Sequence, residues 1–279
     1  LAELAEHLNA ISKPGGLFED KLVTGNAWRG QKRTIRATLY RRRKPTKAIY
    51  DYHNISPEDE LNDAVSKLTT SLMSAGIKAR RCGGKELYEW MFRWFNPNPV
   101  TTDGDTNALL KLAPYPGDEA LPFGYAFAES LMLGMPVSDE EKGIWWFDQR
   151  PHKTVTVQSL RRLPDIGLFG AERKVGEHIY ALFDRMPEDT ILSMTITLKA
   201  QDEMRNHLGL VQRGSVGDYP EAQLAASDAE KAIMEIAKGN KLFPVQLAFF
   251  VRGNDESDLH RKINELSSLL LSNSIQPIM

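Results

Sequence analysis

Two short runs carry most of the chemistry this sequence can offer. Arg41, Arg42, Arg43 and Lys44 place four cations in succession, with Lys47 close behind and Lys78, Arg80 and Arg81 further on. Such a cluster can hold a phosphate or an acidic partner. The plainer reading is a strand end charged against edge-to-edge aggregation, and it is favoured over nucleic-acid binding. The second run is Trp145-Trp146-Phe147. Side chains alternate along a strand, so the three cannot share one face, and at least one is buried on the opposite face or offered to a partner. Burial under neighbouring structure is the plainer account here too.

Other chemistries find no constellation. No Gly-x-x-x-x-Gly-Lys-Ser/Thr run occurs: Gly84-Lys85 is followed by Glu86 and preceded, five positions earlier, by Ala79. Both the backbone cradle for phosphates and the hydroxyl for a metal are lacking. The apolar run Val245 to Val251 leads towards Asp255-Glu256 as a nucleotide-site strand does, but an acidic pair opening a helix accounts for it better. The six histidines, His7, His53, His152, His178, His207 and His260, have no His or Cys partner at helical metal-ligand spacing, so surface positions are expected for them. Asp139-Glu140-Glu141 reads as solvated charge. Ser159, Ser193 and Ser215 lack a nucleophile-elbow context. Cys82, the single cysteine, sits beside Arg81; a small packing residue is the expectation rather than a reactive thiol. Catalytic, cofactor-binding and metal positions are therefore assigned to no residue. Arg41, Arg42, Arg43, Lys44, Trp145 and Trp146 remain as candidate partner or nucleic-acid contacts.

The whole composition reads as that of a soluble globular protein. The 279 residues are 42% hydrophobic and 26% charged, near globular averages, with a formal charge of -2 that removes any global electrostatic case for nucleic acid. No apolar run reaches the roughly 20 residues that span a bilayer. One cysteine forms no internal disulfide, which favours a reducing compartment.

The elements that would position these residues are uneven in clarity. The clearest stretch is Lys241 to Met279: Phe243, Val245, Leu247, Phe249 and Val251 alternate as a strand, and Gly253-Asn254 breaks it. Leu259, Ile263, Leu266 and Leu270 then form a helical stripe from Asp255 to Asn273, and Ser274 to Met279 returns as a strand. A crossover of this length predicts that the two strands are parallel neighbours. Earlier, Ile35, Ala37 and Leu39 alternate as a strand leading into the basic run. Ile49 to Tyr52 can extend it. Ser56-Pro57 with Asp59 marks a helix start whose stripe is Leu61, Ala64, Val65, Leu68 and Leu72; Gly76 ends it and Ile77 to Arg81 returns as a strand. Leu87, Trp90, Met91, Trp94 and Phe95 predict a second helix with that face in the core.

Beyond the Pro-, Gly- and Asn-rich residues 97 to 125, a hairpin is expected from Ile144–Phe147 and Thr154–Leu160 around residues 148–153. Strands follow at Ile179–Phe183 and Thr190–Lys199, the second alternating strictly with one wet face, and then helices at Gln201–Gln212 and Pro220–Lys238. The class is α+β: two sheet-and-helix halves, with mixed sheets and helices packed on one face. The boundaries are 1–32 for an N-terminal helix and lead-in, 33–100 for the first half, 101–142 for a linker and irregular region, and 143–279 for the second half.

Several runs in the second half carry a resemblance: Gly143-Ile-Trp-Trp-Phe-Asp148, Leu160-Arg-Arg-Leu-Pro164, Tyr180-Ala-Leu-Phe-Asp-Arg-Met-Pro187, Gly239-Asn-Lys-Leu-Phe-Pro-Val245 and Phe249-Phe-Val-Arg-Gly253. They resemble conjugative transfer ATPases of integrative conjugative elements, the large energising ATPases of type IV secretion. The likeness runs roughly from Arg33 to Met279 and lies in diffuse rather than catalytic motifs. It implies the amino-terminal, non-motor region of a cytoplasmic ATPase peripheral to the bacterial inner membrane. Its expected role is assembly or docking while the parent energises DNA or protein transfer and pilus assembly. Its expected partners are inner-membrane channel components and other subunits of the same ATPase. ATP and Mg are expected only in a motor domain that would follow Met279, with no cofactor in this chain. The alternative is a nucleic-acid-binding module that guides transferred single-stranded DNA, resting on Arg41 to Lys44 and the aromatics.

Overall fold

Ser56 opens the first helix among the described residues of the computed structural model, which describes residues 34–40, 56–117, 127–160, 172–175, 178–215, 217 and 219–278. The chain divides into two compact units, Leu1–Glu86 and Leu87–Met279. In the first, helix α1 (Pro57–Ser74) starts as its sequence dictates. The Ser56 hydroxyl accepts from the Asp59 amide at 3.0 Å, Pro57 occupies the first turn, and Gly76 leaves the helix at a positive φ of 78°. The strands expected at Thr34–Tyr40 and Ile77–Arg81 do not form. A strand needs a neighbour for its amides and a core for its apolar row. Here Ile35 is 93% exposed and no described residue pairs with it, so the described part of the first half is helical rather than sheet-and-helix. The N-terminal helix and lead-in expected at residues 1–32 and the strand extension at Ile49–Tyr52 lie outside the described residues.

Helix α2 (Gly84–Phe95) begins at the boundary. Its apolar face is broad, opposite Lys85, Glu86, Glu89 and Arg93, and the centre of the buried part is shifted from the one expected. Tyr88 and Phe92 are fully buried with Leu109 and Leu131, Met91 and Phe95 pack partly against them, and Leu87 is exposed. Helix α3 (Thr106–Leu112) is capped by Asp105, whose Oδ1 accepts from the Asn107 and Ala108 amides, and the one-turn helix α4 (Phe127–Leu131) completes this small cluster. Buried Asn96 ties the three together. Its Nδ2 donates to the carbonyls of Phe92 (2.9 Å) and Leu131 (2.7 Å), its Oδ1 accepts from the Leu133 amide, and its carbonyl accepts from Thr106 Oγ1.

The second core is built on a six-stranded sheet. Strands β1 (Val137–Asp139), β2 (Ile144–Phe147) and β3 (Arg150–Leu160) form a meander. The β2–β3 turn is tighter than expected: only Asp148 and Gln149 lie between the paired Phe147 and Arg150, both at positive φ (45° and 63°), as two-residue hairpin turns require. A separate hairpin joins β4 (Glu172–Val175) and β5 (His178–Ala181). Strand β6 (Thr190–Ile196) is followed by helices α5 (Gln201–Gly214) and α6 (Pro220–Ala237), which pack mainly on each other. Then come β7 (Val245–Arg252), α7 (Glu256–Ser272) and β8 (Ile275–Ile278). The order is β1-β2-β3-β7-β6, with β8 on β3.

The α+β class holds, with two details revised. All pairing among the described residues is antiparallel rather than mixed, and β7 and β8 are not neighbours. Thr156 of β3 pairs with both Ala248 of β7 and Ile278 of β8, so β7 and β8 run in the same direction on opposite sides of β3. The crossover through α7 therefore spans one intervening strand. Gly253 makes its start possible: a Cβ there would sit 2.6 Å from the Leu259 amide nitrogen and 2.7 Å from the Asp255 carbonyl oxygen. Asp255 then caps α7 by accepting from the Asp258 amide at 2.8 Å. Leu259, Ile263, Leu266 and Leu270 are buried against Val155, Phe249, Val251 and Ile144, with Val157 and Leu192 packed at the margin.

Candidate contact surface

Alternation along β2 sends its two tryptophans to opposite faces. Trp146 lies opposite Pro151 and packs against the core beneath α7. Trp145 lies opposite His152 on the outer face and is 52% exposed. Val137, which opens the neighbouring strand, and Met135 before it are exposed as well. Arg41, Arg42, Arg43 and Lys44 lie outside the described residues. Of the later cations, Arg80 is exposed and paired with Glu86 at 2.6 Å, and Arg81 donates to Asn62 Oδ1 at 3.1 Å. Cys82 is exposed rather than packed.

The aromatic end of α2 covers part of that outer face. His152 is buried, contrary to the surface position expected for it. Trp94 and Phe147 meet its ring edge-on at centroid distances of 5.3 and 4.9 Å, Phe95 leans on Phe147, and Nδ1 faces the Arg150 carbonyl at 3.0 Å. Burial is the main force that lowers its pKa to about 4, and the nearby Arg252 adds to it. The Arg252 guanidinium stacks 5.0 Å from the Trp94 ring centroid and donates to Asp189 at 2.8 Å. Asp148, at the hairpin turn, has its carboxyl pushed up by burial, partly offset by a backbone bond from Asn98.

A second feature escaped the periodicity. Lys262 falls within the buried stripe of α7, and its ammonium donates to the Arg252 carbonyl at 2.9 Å and pairs with Asp258 at 3.2 Å. Burial raises the Asp258 pKa, but the Asn254 amide, Arg261 and Lys262 outweigh it and hold the carboxyl at about 2. These groups neutralise one another and lock α7 to β7. They form a structural knot with no open coordination or nucleophile.

The third feature is the far end of the β6–β7 ladder. Leu192, Met194 and Ile196 lie opposite Phe249, Leu247 and Val245, all on the face that α7 covers. Phe249 is fully buried there, whereas Met194, Ile196 and Val245 are exposed by 49%, 50% and 53%. Leu198, just beyond, is exposed too. Strict alternation had announced an apolar face; what it could not announce was that the cover ends halfway along it.

Two surface features thus stand out among the described residues: a half-exposed tryptophan on one sheet face and an uncovered apolar row on the other. Comparison with known families gives the context. Residues 1–279 match the TraC protein family, a family of conjugative transfer, and the chain belongs to it. No curated protein matches the chain.

Proposed function

We propose that this chain is an assembly and docking part of a conjugative transfer ATPase, with ATP hydrolysis carried by residues outside it. A role in conjugative, type IV transfer follows from the family. The finer reading draws support from the sequence, which holds no phosphate cradle, and from the diffuse likeness to the non-motor region of such ATPases. The observation that carries it is Trp145. A large aromatic side chain, half exposed on a strand that its own core already holds through Trp146, suits a protein contact better than it suits folding. The partners proposed are inner-membrane channel components of the transfer apparatus, met at the membrane periphery; among the described residues no helix is long and apolar enough to cross a membrane.

Replacing Trp145→Ala tests this. The expected result is a drop in transfer frequency of tenfold or more, with the unfolding midpoint of the purified chain essentially unchanged. Wild-type transfer by the variant overturns the docking reading, as does steady ATP hydrolysis by the purified chain.

A further inference from the structure

Strand β6 is an open edge of the large sheet. It pairs with β7 along its whole length in unbroken register, and no strand among the described residues lies on its other side. Natural sheets blunt such edges with charges, prolines or bulges, because an uncovered row of amides and carbonyls is a template for another strand. β6 carries none of these devices. It reads Thr190-Ile191-Leu192-Ser193-Met194-Thr195-Ile196, without a charge or a proline, and is rich in β-branched residues. The same strand bears the uncovered apolar row at Met194 and Ile196.

We propose that β6 pairs with β6 of a second copy of this chain, antiparallel about a two-fold axis through Ser193, joining two six-stranded sheets into one. The strand is complementary to itself in this register. Ser193 meets its own copy, Leu192 lies opposite Met194 of the partner subunit, Ile191 opposite Thr195 of the partner subunit, and Thr190 opposite Ile196 of the partner subunit. Residues directly opposite share a face, so the half-exposed Met194 of each copy comes to lie beside the Leu192 that borders the other copy's core. The two-fold axis makes the pair antiparallel, and this direction brings Lys199, which follows each strand, towards Glu188, which precedes the other. A single edge-to-edge contact is small, so the dimer is reversible and concentration-dependent. This inference stands on β6 alone and is independent of the docking reading.

Sedimentation velocity of the chain from about 1 to about 200 µM tests it. The expected result is a shift from monomer to dimer that Met194→Lys weakens at least tenfold, with thermal unfolding of the variant unchanged as the check on folding. The register is tested separately by Ser193→Cys in a Cys82→Ser background. Opposed residues in an antiparallel pair have Cα atoms about 4.5 to 5.5 Å apart, within disulfide reach, so mild oxidation should give a covalent dimer. A chain that stays monomeric across the range overturns the proposal and leaves the edge to a strand of a different protein. A dimer insensitive to Met194→Lys and not cross-linked through Cys at 193 overturns it as well.

Discussion

Helices α1 and α7 are close to the same length, 18 and 17 residues, and both are amphipathic and side-chain capped at the start. Their fates differ. α7 buries seven residues, one of them a lysine, whereas no residue of α1 whose burial is described is buried. The stripe Leu61, Ala64, Val65, Leu68 and Leu72 is as regular as Leu259, Ile263, Leu266 and Leu270. What α7 has in addition is a sheet with matching apolar rows, Val155 and Val157 on β3 and Phe249 and Val251 on β7. Periodicity decides which face of a helix is apolar; burial is decided by whether another element presents a complementary face.

Truncation should expose this difference most sharply. Leu266→Ala removes a fully buried side chain and is expected to cost about 3 to 4 kcal/mol in urea unfolding, while Leu68→Ala, at the exposed position of the otherwise half-buried α1 stripe, should cost below about 1 kcal/mol. Equal losses would mean that α1 is as well covered as α7. The pH dependence belongs to the sheet unit. Folded His152 takes up its proton near pH 4 and an unperturbed histidine near 6.5, so between these values the unfolded chain binds more protons. Stability is therefore expected to be fully present above about pH 6.5 and to fall as pH drops towards 4, by about 3 kcal/mol in total. His152→Phe should remove that part of the slope in denaturation series run at successive pH values. The smallest effect is at the caps. Asp255→Ala should lower the global unfolding free energy by about 1 kcal/mol, whereas Ser56→Ala should act only on the first turns of α1 and be seen in local amide exchange rather than in global unfolding.

The same contrast explains what could be read from the residues. Stretches whose pattern is unambiguous came through: the α7 stripe with its Asp255 cap, the Ser56 start of α1, and the alternation of β6 and β7. Where a pattern was over-determined, the reading slipped. The apolar face of α2 is wide enough to hold Tyr88 and Phe92 as well as the expected stripe, so these two could take the core from Leu87 and Trp90. Where the deciding partner was distant in sequence, nothing local pointed to it. Lys262 is buried because the Arg252 carbonyl and Asp258 receive its ammonium, and His152 because Trp94, some 60 residues earlier, covers it. Strand order failed for the same reason: the crossover from β7 to β8 has the expected length, but β3 already held the place between them. Of the contact candidates, the opposite orientations of Trp145 and Trp146 follow from alternation alone. The open row at Met194, Ile196 and Val245 depends on where α7 stops.

Helices α5 and α6 form a long insertion between two adjacent strands. They leave the sheet from β6 and return to it at β7, and Gln201 fastens their base by accepting from the Leu242 amide and donating to the Leu242 carbonyl. Met204 on one helix and Ala229 and Ile236 on the other are buried. An 18-residue helix is about 27 Å long, so the far end of the pair lies well away from the end of the two adjacent strands that hold its base. At that length a change of about 10° in the direction of the helices at their base would displace the far end by about 5 Å, close to one helical turn.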